Sequence, residues 1–472
     1  MAATTVSLSS LLRSIAPHTV RDIINEWGAA SAADDPKSGS GSTIASPELF
    51  QAQKTLLSAA GLLTELVSDP SSRLLEVSSQ YTEARALHIA AEMRVPDIIA
   101  SKEGERATIE ELGEATGIEN RKLGRLMRSP CSIHVFQEVL PGVFANNAIS
   151  AALVDNEPLR AYIIMFALDI YSASSFLPKT LLDAEKGHSY DVRKTAFQDT
   201  MGTTQTRWEW FEELVLACEL NDYPRGGYPG PWGRTMRDAV QGKHPDELVP
   251  RPGHANFGFA MYAGGLVFGS AHLYDYPWQS LGKAQVVDVG GGVGGFCIQL
   301  ARLYPDLTFA VQDRPGALKQ AQSTIWPKEN PQALVDGRVS FMAHDFFDEN
   351  PVKGADVYWL RYIMHNWSDE CCIRILSAIR PSMSSTSRIL ICDHVMNTTL
   401  GCAEIVSAPA PLPANYGYFT RYSHQRDVAM MALINGIERT PEEFRGIVEA
   451  AGLVLRKVYD CRSQRSAGWK QG

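Results

Sequence analysis

The stretch AQVVDVGGGVGGFCIQLARLYP, residues 284–305, indicates the fold class of this chain. Its first part, AQVVDVG, has the short apolar run of a buried strand, and GGFCIQLARLYP repeats apolar residues at helical spacing. The glycines between them allow a sharp turn and can bring backbone N–H groups close to a ligand. The same turn could also be only a tight connection between a strand and a helix.

Strand-like and helix-like segments alternate along the chain after this stretch. Each predicted strand is a short apolar run, and each predicted helix repeats apolar residues at three- and four-residue spacing. The strands are TFAVQD (308–313), VSFMAHDF (339–346), ADVYWLRYIM (355–364) and RILICDHVM (388–396), and the helices are GALKQAQSTIW (316–326) and DECCIRILSAIRPSM (369–383). This alternation predicts an α/β fold with a doubly wound sheet.

Length and composition limit the class of protein. The chain has 472 residues, enough for about two to three domains with sizeable cores. Hydrophobic residues make up 45% and charged residues 21%, as in soluble globular proteins. The net charge of -9 argues against phosphate-backbone binding as the main activity, although a local basic patch is compatible with it. No stretch approaches the roughly 18 to 20 apolar residues of a membrane span.

The cysteines and the N-terminus favour a cytoplasmic protein. The 8 cysteines are scattered, without a CxxC pair or the His/Cys spacing of a zinc site. Free thiols of this kind are typical of a reducing compartment. The first residues, MAATTVSLSSLLRSIAP, lack the basic region and the long apolar core of a signal peptide.

Changes in composition predict four segments. Residues 1–47 are expected to form an N-terminal helical arm and a flexible connector rich in Gly and Ser. Residues 48–220 are mainly helical in pattern, and residues 221–253 are rich in Gly and Pro, which indicates a linker or a surface insertion. Residues 254–472 contain the alternating α/β pattern and are expected to form the catalytic domain.

A winged-helix pattern lies within the mainly helical segment. TIEELGEATGIENRKLGRLMR (108–128) predicts a helix, a glycine turn and a helix, and VFQEVLPGVFANN (135–147) predicts two short strands around Pro141 and Gly142. Pro130 is expected to end the second helix at once. A winged helix can bind DNA or serve packing and dimerisation, and the acidic chain favours the second role.

Two acidic residues narrow the choice of ligand for the glycine-rich turn. Asp288 lies inside the turn, where it would repel a pyrophosphate but suits a ligand with an ammonium group. Asp313 ends the next strand, near the roughly 20-residue interval at which an acid accepts hydrogen bonds from ribose hydroxyls. S-adenosylmethionine has both groups, and Asp345 and Phe346 after the third strand fit contacts to its adenine. We therefore expect this cofactor.

Five segments, in order along the chain, carry a resemblance to a known family. They are HLYDYPWQSLGKAQVVDVGGGVGG (272–295), VQDRP (311–315), HDFF (344–347), LRYIMHNWSDE (360–370) and NGIERTPEEF (435–444). The chain resembles the plant-type and fungal S-adenosylmethionine-dependent O-methyltransferases, which include caffeate O-methyltransferases. It is most similar to the fungal polyketide branch, to which sterigmatocystin 8-O-methyltransferase belongs. The resemblance implies a Rossmann-like catalytic domain behind an N-terminal winged-helix dimerisation domain.

The resemblance also assigns cofactor contacts to matching positions of this chain. These are Gly290 and Gly291 in the loop at the methionine end, Asp313 at the ribose hydroxyls, Asp345 and Phe346 at the adenine, and Arg361 where the family has a Lys or Arg that touches the cofactor.

His365 has two interpretations. Beside an apolar run it could be an ordinary packed residue, but the resemblance implies that it is the catalytic base, flanked by Asp393 and Glu438. Glu438 is expected to accept from the far ring nitrogen and fix the tautomer. Plant members have Glu at position 393, so the shorter Asp393 could reach the ring or orient the substrate through a water. Asn366 stands where plant members have Asp.

Substrate and partners follow mainly from the resemblance. Met201, in FQDTMGTTQTRWEWF (197–211), stands in the segment that reaches over the active site, and we expect it to contact a ring of the substrate. A planar, hydroxylated aromatic such as an anthraquinone or xanthone is the expected substrate class. The resemblance implies a homodimer through the N-terminal domain and no metal. We expect no nucleic-acid or membrane partner.

Two other functions remain open at this level. The first is a DNA-binding winged-helix regulator with a decayed methyltransferase domain. The second is a partner subunit that binds S-adenosylmethionine without catalysis, which the Asp at position 393 slightly favours. Methyl transfer to a phenolic hydroxyl is the expected function.

Overall fold

The computed structural model of the chain describes residues 46–220, 233–269 and 271–462. Contacts divide these residues into two compact units. We call residues 46–68, 265–431 and 435–462 the sheet unit, and residues 69–264 and 432–434, as far as they are described, the helical unit. The predicted helix over 8–27, most of the connector before residue 47 and residues 221–232 lie outside the described residues.

The sheet unit contains a five-stranded parallel sheet. Its strands are β1 (Ala284–Val289), β2 (Leu307–Asp313), β3 (Val339–Ala343), β4 (Val357–Arg361) and β5 (Arg388–Cys392). They lie in the order β5-β4-β1-β2-β3, and every neighbouring pair is parallel. The order reverses at β1, which confirms the predicted doubly wound α/β sheet. Ligands of such sheets bind beyond the carboxyl ends of the strands at this reversal.

Helices of the sheet unit precede, connect and follow these strands. They are Pro47–Val67, His272–Asp275, Gly295–Leu303, Pro315–Gln320, Trp326–Glu329, Pro331–Val335, Asp369–Ile379, Arg421–Ile434 and Pro441–Ala450, with residues 432–434 of the penultimate helix counted in the helical unit.

Apolar residues are buried on both faces of the sheet. Val287 and Ile391 belong to one core cluster, whereas their neighbours Val286 and Leu390 belong to another. Successive side chains of a strand point to opposite faces, so each strand of a sheet covered on both sides must be apolar throughout. This explains why the strands appear in the sequence as short continuous apolar runs.

The helical unit contains the predicted winged-helix module. Helices Ile109–Thr116 and Asn120–Ser132 are followed by the antiparallel strands Phe136–Leu140 and Val143–Asn146, and Arg106–Thr108 adds a third strand. The expectation that Pro130 ends the second helix was wrong. The helix continues to Ser132, because a proline two residues before the end removes only one of its backbone hydrogen bonds.

The rest of the helical unit is formed by helices and one short antiparallel pair of strands. The helices are Pro70–Ser79, Tyr81–Glu92, Val95–Ala100, Ala148–Ala151, Glu157–Met165, Tyr171–Leu182, Ala196–Met201, Arg207–Glu212, Ala217–Leu220, Arg234–Val240 and most of Pro252–Gly269, and the antiparallel strands are Leu214–Leu216 and Leu248–Pro250.

The units divide the chain differently from the predicted segments. Helix Pro47–Val67 belongs to the sheet unit, although the sequence grouped it with the winged helix. It is fixed there by Tyr416, whose carbonyl accepts from Ser58 Oγ at 2.7 Å and whose ring centroid lies 4.1 Å from Lys54 Nζ. The described part of 221–253 forms a helix and a strand of the helical unit.

Contrary to the expectation from the sequence, one range, Glu157–Leu182, is long and apolar enough to cross a membrane, judged by length and composition only. A π-helical turn, Phe166–Ile170, joins the two helices of this range. The turn contains Asp169, which is 1% exposed and accepts from Arg207 Nε at 2.6 Å. Core helices of folded domains have the same length and composition, so this range is weak evidence for a membrane span.

Candidate active site

The glycine-rich loop follows β1 and turns around the end of β2. Gly290 has φ 73°, in the left-handed region that favours glycine. The N–H groups of Gly290 and Gly291 both donate to the carbonyl of Gln312, at 2.9 and 3.0 Å. The loop is therefore fastened to the strand that ends at Asp313, so that both predicted cofactor contacts lie at one edge of the sheet.

Gly291 lies directly above a buried carboxylate. A Cβ at Gly291 would be 2.4 Å from Cγ of Asp288, which is 3% exposed. Burial raises the pKa of Asp288 to about 6, although the thiol of Cys297, which donates to Oδ2 at 3.1 Å, opposes this rise. Asp288 thus supports the loop from beneath. Its contact with an ammonium group stays a prediction.

We predict that Gly291→Ala weakens binding of S-adenosylmethionine at least about 10-fold. The added Cβ overlaps the Asp288 carboxylate, which cannot retreat because it is buried, so the loop must move. Calorimetric titration of the variant checks this, and Gly295→Ala, where a Cβ would meet nothing within 4 Å, is the matched control. Equal affinity of the two variants would contradict the close contact.

The acids at the ends of β2 and β3 fit the ribose and adenine positions. Asp313 accepts from Gly292 N–H at 2.8 Å and from Arg314 N–H at 2.7 Å, one on each oxygen. Each oxygen keeps a second lone pair that can accept from a ribose hydroxyl. Asp345 is exposed, and the half-buried ring of Phe346 comes within 3.6 Å of a Cβ built on Gly290. The structure thus brings Gly290 and Phe346 together.

Arg361 ends β4, and two of its nitrogens have no hydrogen-bond partner within the described part of the chain. Nε and Nη2 are buried and, among the described residues, form no hydrogen bond. The guanidinium lies over the rings of Phe296 and Tyr362, 5.2 and 5.0 Å from their centroids. Buried donors without acceptors are costly, so this arrangement fits a site for an anionic group such as the carboxylate of the cofactor.

His365 lies in a tight turn after β4. The sequence predicted a strand as far as Met364, and this was wrong, because Tyr362 adopts φ 56° and the chain leaves the sheet after Arg361. His365 then occupies the middle of the 3₁₀ turn Met364–Asn366. The side-chain amide of Asn366 donates to the Tyr362 carbonyl at 2.9 Å, a bond that an ionised Asp could not donate.

The ring of His365 is held by Glu438. Nδ1 lies 2.9 Å from Glu438 Oε1, and Nε2 has no hydrogen-bond partner among the described residues. Burial would raise the pKa of Glu438, but Arg426 and His365 lower it to about 2. Glu438 is therefore ionised at neutral pH and can accept from Nδ1–H. In this tautomer Nε2 has a lone pair available for a proton.

Asp393 contacts the backbone of the turn instead of the ring. Its Oδ2 accepts from the N–H of His365 at 3.0 Å, and Oδ1 is buried without a partner among the described residues. Burial raises the pKa of Asp393 to about 6. His365 opposes this rise, and Glu438 adds to it. Of the two acids predicted to flank the base, Glu438 orients the ring and Asp393 fixes the main chain.

We predict that Asp393→Asn stabilises the protein more at pH 7 than at pH 4. The folded protein holds the Asp393 proton more tightly than the unfolded chain, because the pKa rises from 3.8 to about 6. Wild-type stability therefore falls by roughly 2 to 3 kcal/mol across this interval, and Asn removes that loss while still accepting from His365 N–H. Urea unfolding at both pH values measures the difference. A difference independent of pH would contradict the raised pKa.

Two arginines complete the surroundings of His365, and sequence reasoning missed both. Arg439 is 1% exposed and donates to the carbonyls of Met364 and Trp367 at 2.9 and 2.7 Å, on either side of His365. Arg426 forms an ion pair with Glu438 at 3.0 Å. Arg439 follows Glu438 directly in GIERT, and Arg426 is a charge near the start of an apolar helix. The position of each arginine in the sequence could therefore have indicated a role near the site.

Met201, the predicted substrate contact, lies in the helical unit. It ends helix Ala196–Met201 and is 3% exposed, and Gly202 with φ 63° follows it. Its contact with a substrate stays a prediction. Within the described residues, no group of three or more His, Cys, Asp or Glu residues could hold a metal ion.

Comparison with known proteins identifies the family. A model of the O-methyltransferase domain matches residues 266–454, and a model of the O-methyltransferase dimerisation domain matches residues 75–156. The O-methyltransferase tpcA of Aspergillus fumigatus is 54% identical over 95% of this chain and 92% of that protein. The O-methyltransferase gedA of Aspergillus terreus is also 54% identical, over 94% and 92%.

Solved structures agree with this assignment. The methyltransferase CalO1 of calicheamicin biosynthesis, solved with S-adenosylhomocysteine, has a TM-score of 0.60 and 27% identity over 85% of this chain and 99% of that one. The mitomycin 7-O-methyltransferase MmcR shares the fold, with a TM-score of 0.61 and 22% identity over 85% and 97%. These matches favour an enzyme over a DNA-binding regulator or a non-catalytic subunit. The chain belongs to the S-adenosylmethionine-dependent O-methyltransferases of fungal secondary metabolism.

Proposed function

We propose that this enzyme methylates a phenolic hydroxyl of an aromatic polyketide-type metabolite, with His365 as general base. The observation that supports this most directly is the contact between His365 Nδ1 and Glu438 at 2.9 Å, with Nε2 free of described partners. When bound, S-adenosylmethionine supplies a methyl group on a sulfonium that is open to in-line displacement.

The chain's own groups would handle the proton. A phenol with an ordinary pKa of about 10 is mostly protonated at neutral pH, and its phenolate is the better nucleophile. Nε2 of His365 would take the phenolic proton, and Glu438 would stabilise the resulting imidazolium through Nδ1–H. Asp393 and Arg439 hold the main chain of the turn, so the ring is kept in one orientation.

Residues at the carboxyl ends of β1 to β4 would hold the cofactor. Gly290 and Gly291 provide a loop that allows a close approach, and Asp313 would accept from the ribose hydroxyls. Phe346 would pack against the adenine, with Asp345 facing its amino group. Arg361 would bind the carboxylate through the two nitrogens that have no partner among the described residues.

Substrate class and assembly are also part of this proposal. Met430 and Met431 are half-buried on the helix that contains Arg426, and methionine side chains adapt to flat rings. In the dimerisation domain range, Leu75 and Tyr81 are 71% and 74% exposed, which fits a homodimer surface. We further propose that the enzyme acts in the cytoplasm, with Met201 at the substrate, and needs neither metal nor nucleic acid.

The test is methyl transfer by the purified full-length protein. The protein is incubated with S-adenosylmethionine labelled on the methyl carbon, with chelator present, and a panel of hydroxylated anthraquinones and xanthones. Mass spectrometry and NMR should find the label on a phenolic oxygen of at least one compound. Label on carbon or nitrogen, or no transfer to any compound in the panel while the cofactor still binds, would contradict the proposal.

A further inference from the structure

Arg426 contacts both members of the His365–Glu438 pair. Its Nε lies 3.0 Å from Glu438 Oε1, and its Nη2 lies 3.1 Å from His365 Nδ1. The Arg426 side chain is 12% exposed, that of Glu438 is fully buried, and that of His365 is 6% exposed. These three charged or ionisable groups therefore meet at one carboxylate oxygen, largely shielded from water.

Arg426 cannot serve as another hydrogen-bond acceptor for the base. A guanidinium has only donors, so it can stand beside Nδ1 but cannot accept the Nδ1 proton. Its contribution is a fixed positive charge next to Glu438. With neutral His365, the Glu438–His365 pair alone has one negative charge, and Arg426 brings the group of three to zero. Once His365 holds a proton, the group has one positive charge.

Other charged or titratable groups near His365 do not cancel the single positive charge that the three groups have when His365 is protonated. Burial, together with Arg426, lowers the pKa of His394 to about 3, so His394 is neutral. Arg439 is paired with Asp369 at 2.8 Å. Asp427 accepts from the backbone N–H of Glu438 at 2.8 Å, and burial raises its pKa.

Asp393 and Tyr362 are the remaining groups beside the pair. Asp393 binds the main chain of the turn, and above its pKa of about 6 its negative charge is opposed by the buried guanidinium of Arg439. The centroid of the Tyr362 ring lies 5.7 Å from the centroid of the His365 ring. The same centroid lies 4.9 Å from the guanidinium carbon of Arg426. Neither residue joins the three-way contact at Glu438 Oε1.

We propose that Arg426, together with Glu438 and His365, forms a binding site for an ionised hydroxyl. This site selects phenols whose acidity is raised by a conjugated carbonyl or a similar electron-withdrawing group. This rests on the proposed function, because it assumes that His365 faces the reacting hydroxyl. The protonated group of three and a phenolate have opposite single charges, and their attraction is strong where water is excluded.

The transfer step balances with the groups named. The phenolic proton goes to Nε2 of His365 or has already left to solvent. The phenolate oxygen forms a bond to the methyl carbon, and the carbon–sulfur bond breaks with its electron pair on sulfur. The products are a neutral methyl ether and S-adenosylhomocysteine. Arg426 acts through Glu438 and His365, so it is a positioning and specificity-determining residue.

The ionisation state of a bound phenol tests this directly. The probe is 4-nitrophenol, whose phenolate has its own absorption band, added to full-length protein saturated with S-adenosylhomocysteine. At a pH where most of the free probe is protonated, wild type should increase the phenolate band on binding. Arg426→Met should lower the phenolate fraction of bound probe about 10-fold, and Arg426→Lys should restore part of it.

Controls separate this inference from folding and from the proposed function. Arg421→Met removes an exposed arginine of the same helix and should behave as wild type. Thermal unfolding and affinity for S-adenosylhomocysteine show whether Arg426→Met is folded. Equal phenolate fractions in wild type and Arg426→Met, or no phenolate band with wild type at saturating probe, would overturn the inference. Absence of methyl transfer with a normal phenolate band would overturn only the proposed function.

Discussion

Replacement of His365 by Gln should lower turnover on a phenolic substrate by about 10² to 10⁴-fold, the usual contribution of a positioned base. Gln can accept a hydrogen bond but cannot take a proton at neutral pH. The residues that we propose to hold the cofactor lie at the carboxyl ends of β1 to β4, so affinity for S-adenosylmethionine should change less than about 3-fold. Single-turnover kinetics and calorimetry measure the two quantities separately.

A matched control comes from an exposed histidine of the helical unit. His244 is 75% exposed, and His244→Gln should leave turnover and cofactor affinity unchanged. If His365→Gln kept near wild-type turnover across neutral pH, the base would have to be another group. If the variant lost cofactor affinity instead, His365 would be a binding residue.

Replacement of Arg439 by Met should lower the free energy of unfolding by about 2 to 4 kcal/mol and reduce turnover at least about 10-fold. The side chain is fully buried, and its removal leaves the Met364 and Trp367 carbonyls without their donors. The ion pair with Asp369 adds little, because Asp369 is 60% exposed. The turn then loses its attachment on both sides of His365.

Two further variants distinguish a role of Arg439 in positioning His365 from a role in stabilising the fold. Arg445→Met removes a half-buried arginine paired with Glu404 and should cost less than about 1 kcal/mol. Arg439→Lys keeps a donor and should recover part of the turnover. Urea unfolding and the separation of kcat from KM are the measurements. A loss of stability in Arg439→Met with unchanged kcat would show that the arginine supports the fold alone.

The sheet was predictable from the sequence because each strand is indicated by its own residues, without reference to distant parts of the chain. Each strand is buried on both faces, which requires a continuous apolar run, and each run is bounded by glycine, proline or charged residues. The end of β4 was not predictable in this way. Tyr362, Ile363 and Met364 continue the apolar run, but the left-handed conformation of Tyr362 ends the strand. Nothing in a tyrosine's side chain indicates a positive φ.

The electrostatics of the site depend on groups far apart in the chain. The family resemblance implied that Glu438 approaches His365, which the structure shows at 2.9 Å. The sequence could not show that Asp393 faces the backbone instead of the ring. That choice depends on where β5 ends relative to β4, and their register places Cys392 opposite Arg361. The carbonyls that Arg439 binds lie 75 and 72 residues earlier in the chain, so its adjacency to Glu438 did not reveal its role at the turn.

Helix Pro47–Val67 has a consequence for how this enzyme can diversify. Its residues precede both ranges that match the family models, yet Ser58 and Lys54 fix Tyr416, which directly precedes the turn Gly417–Thr420 and the helix that contains Arg426. Mutations in this helix can therefore shift the Arg426 charge beside His365 and Glu438 while every residue of the two family domains stays the same. We therefore expect substitutions in this helix to alter substrate preference without any change in the active-site motifs.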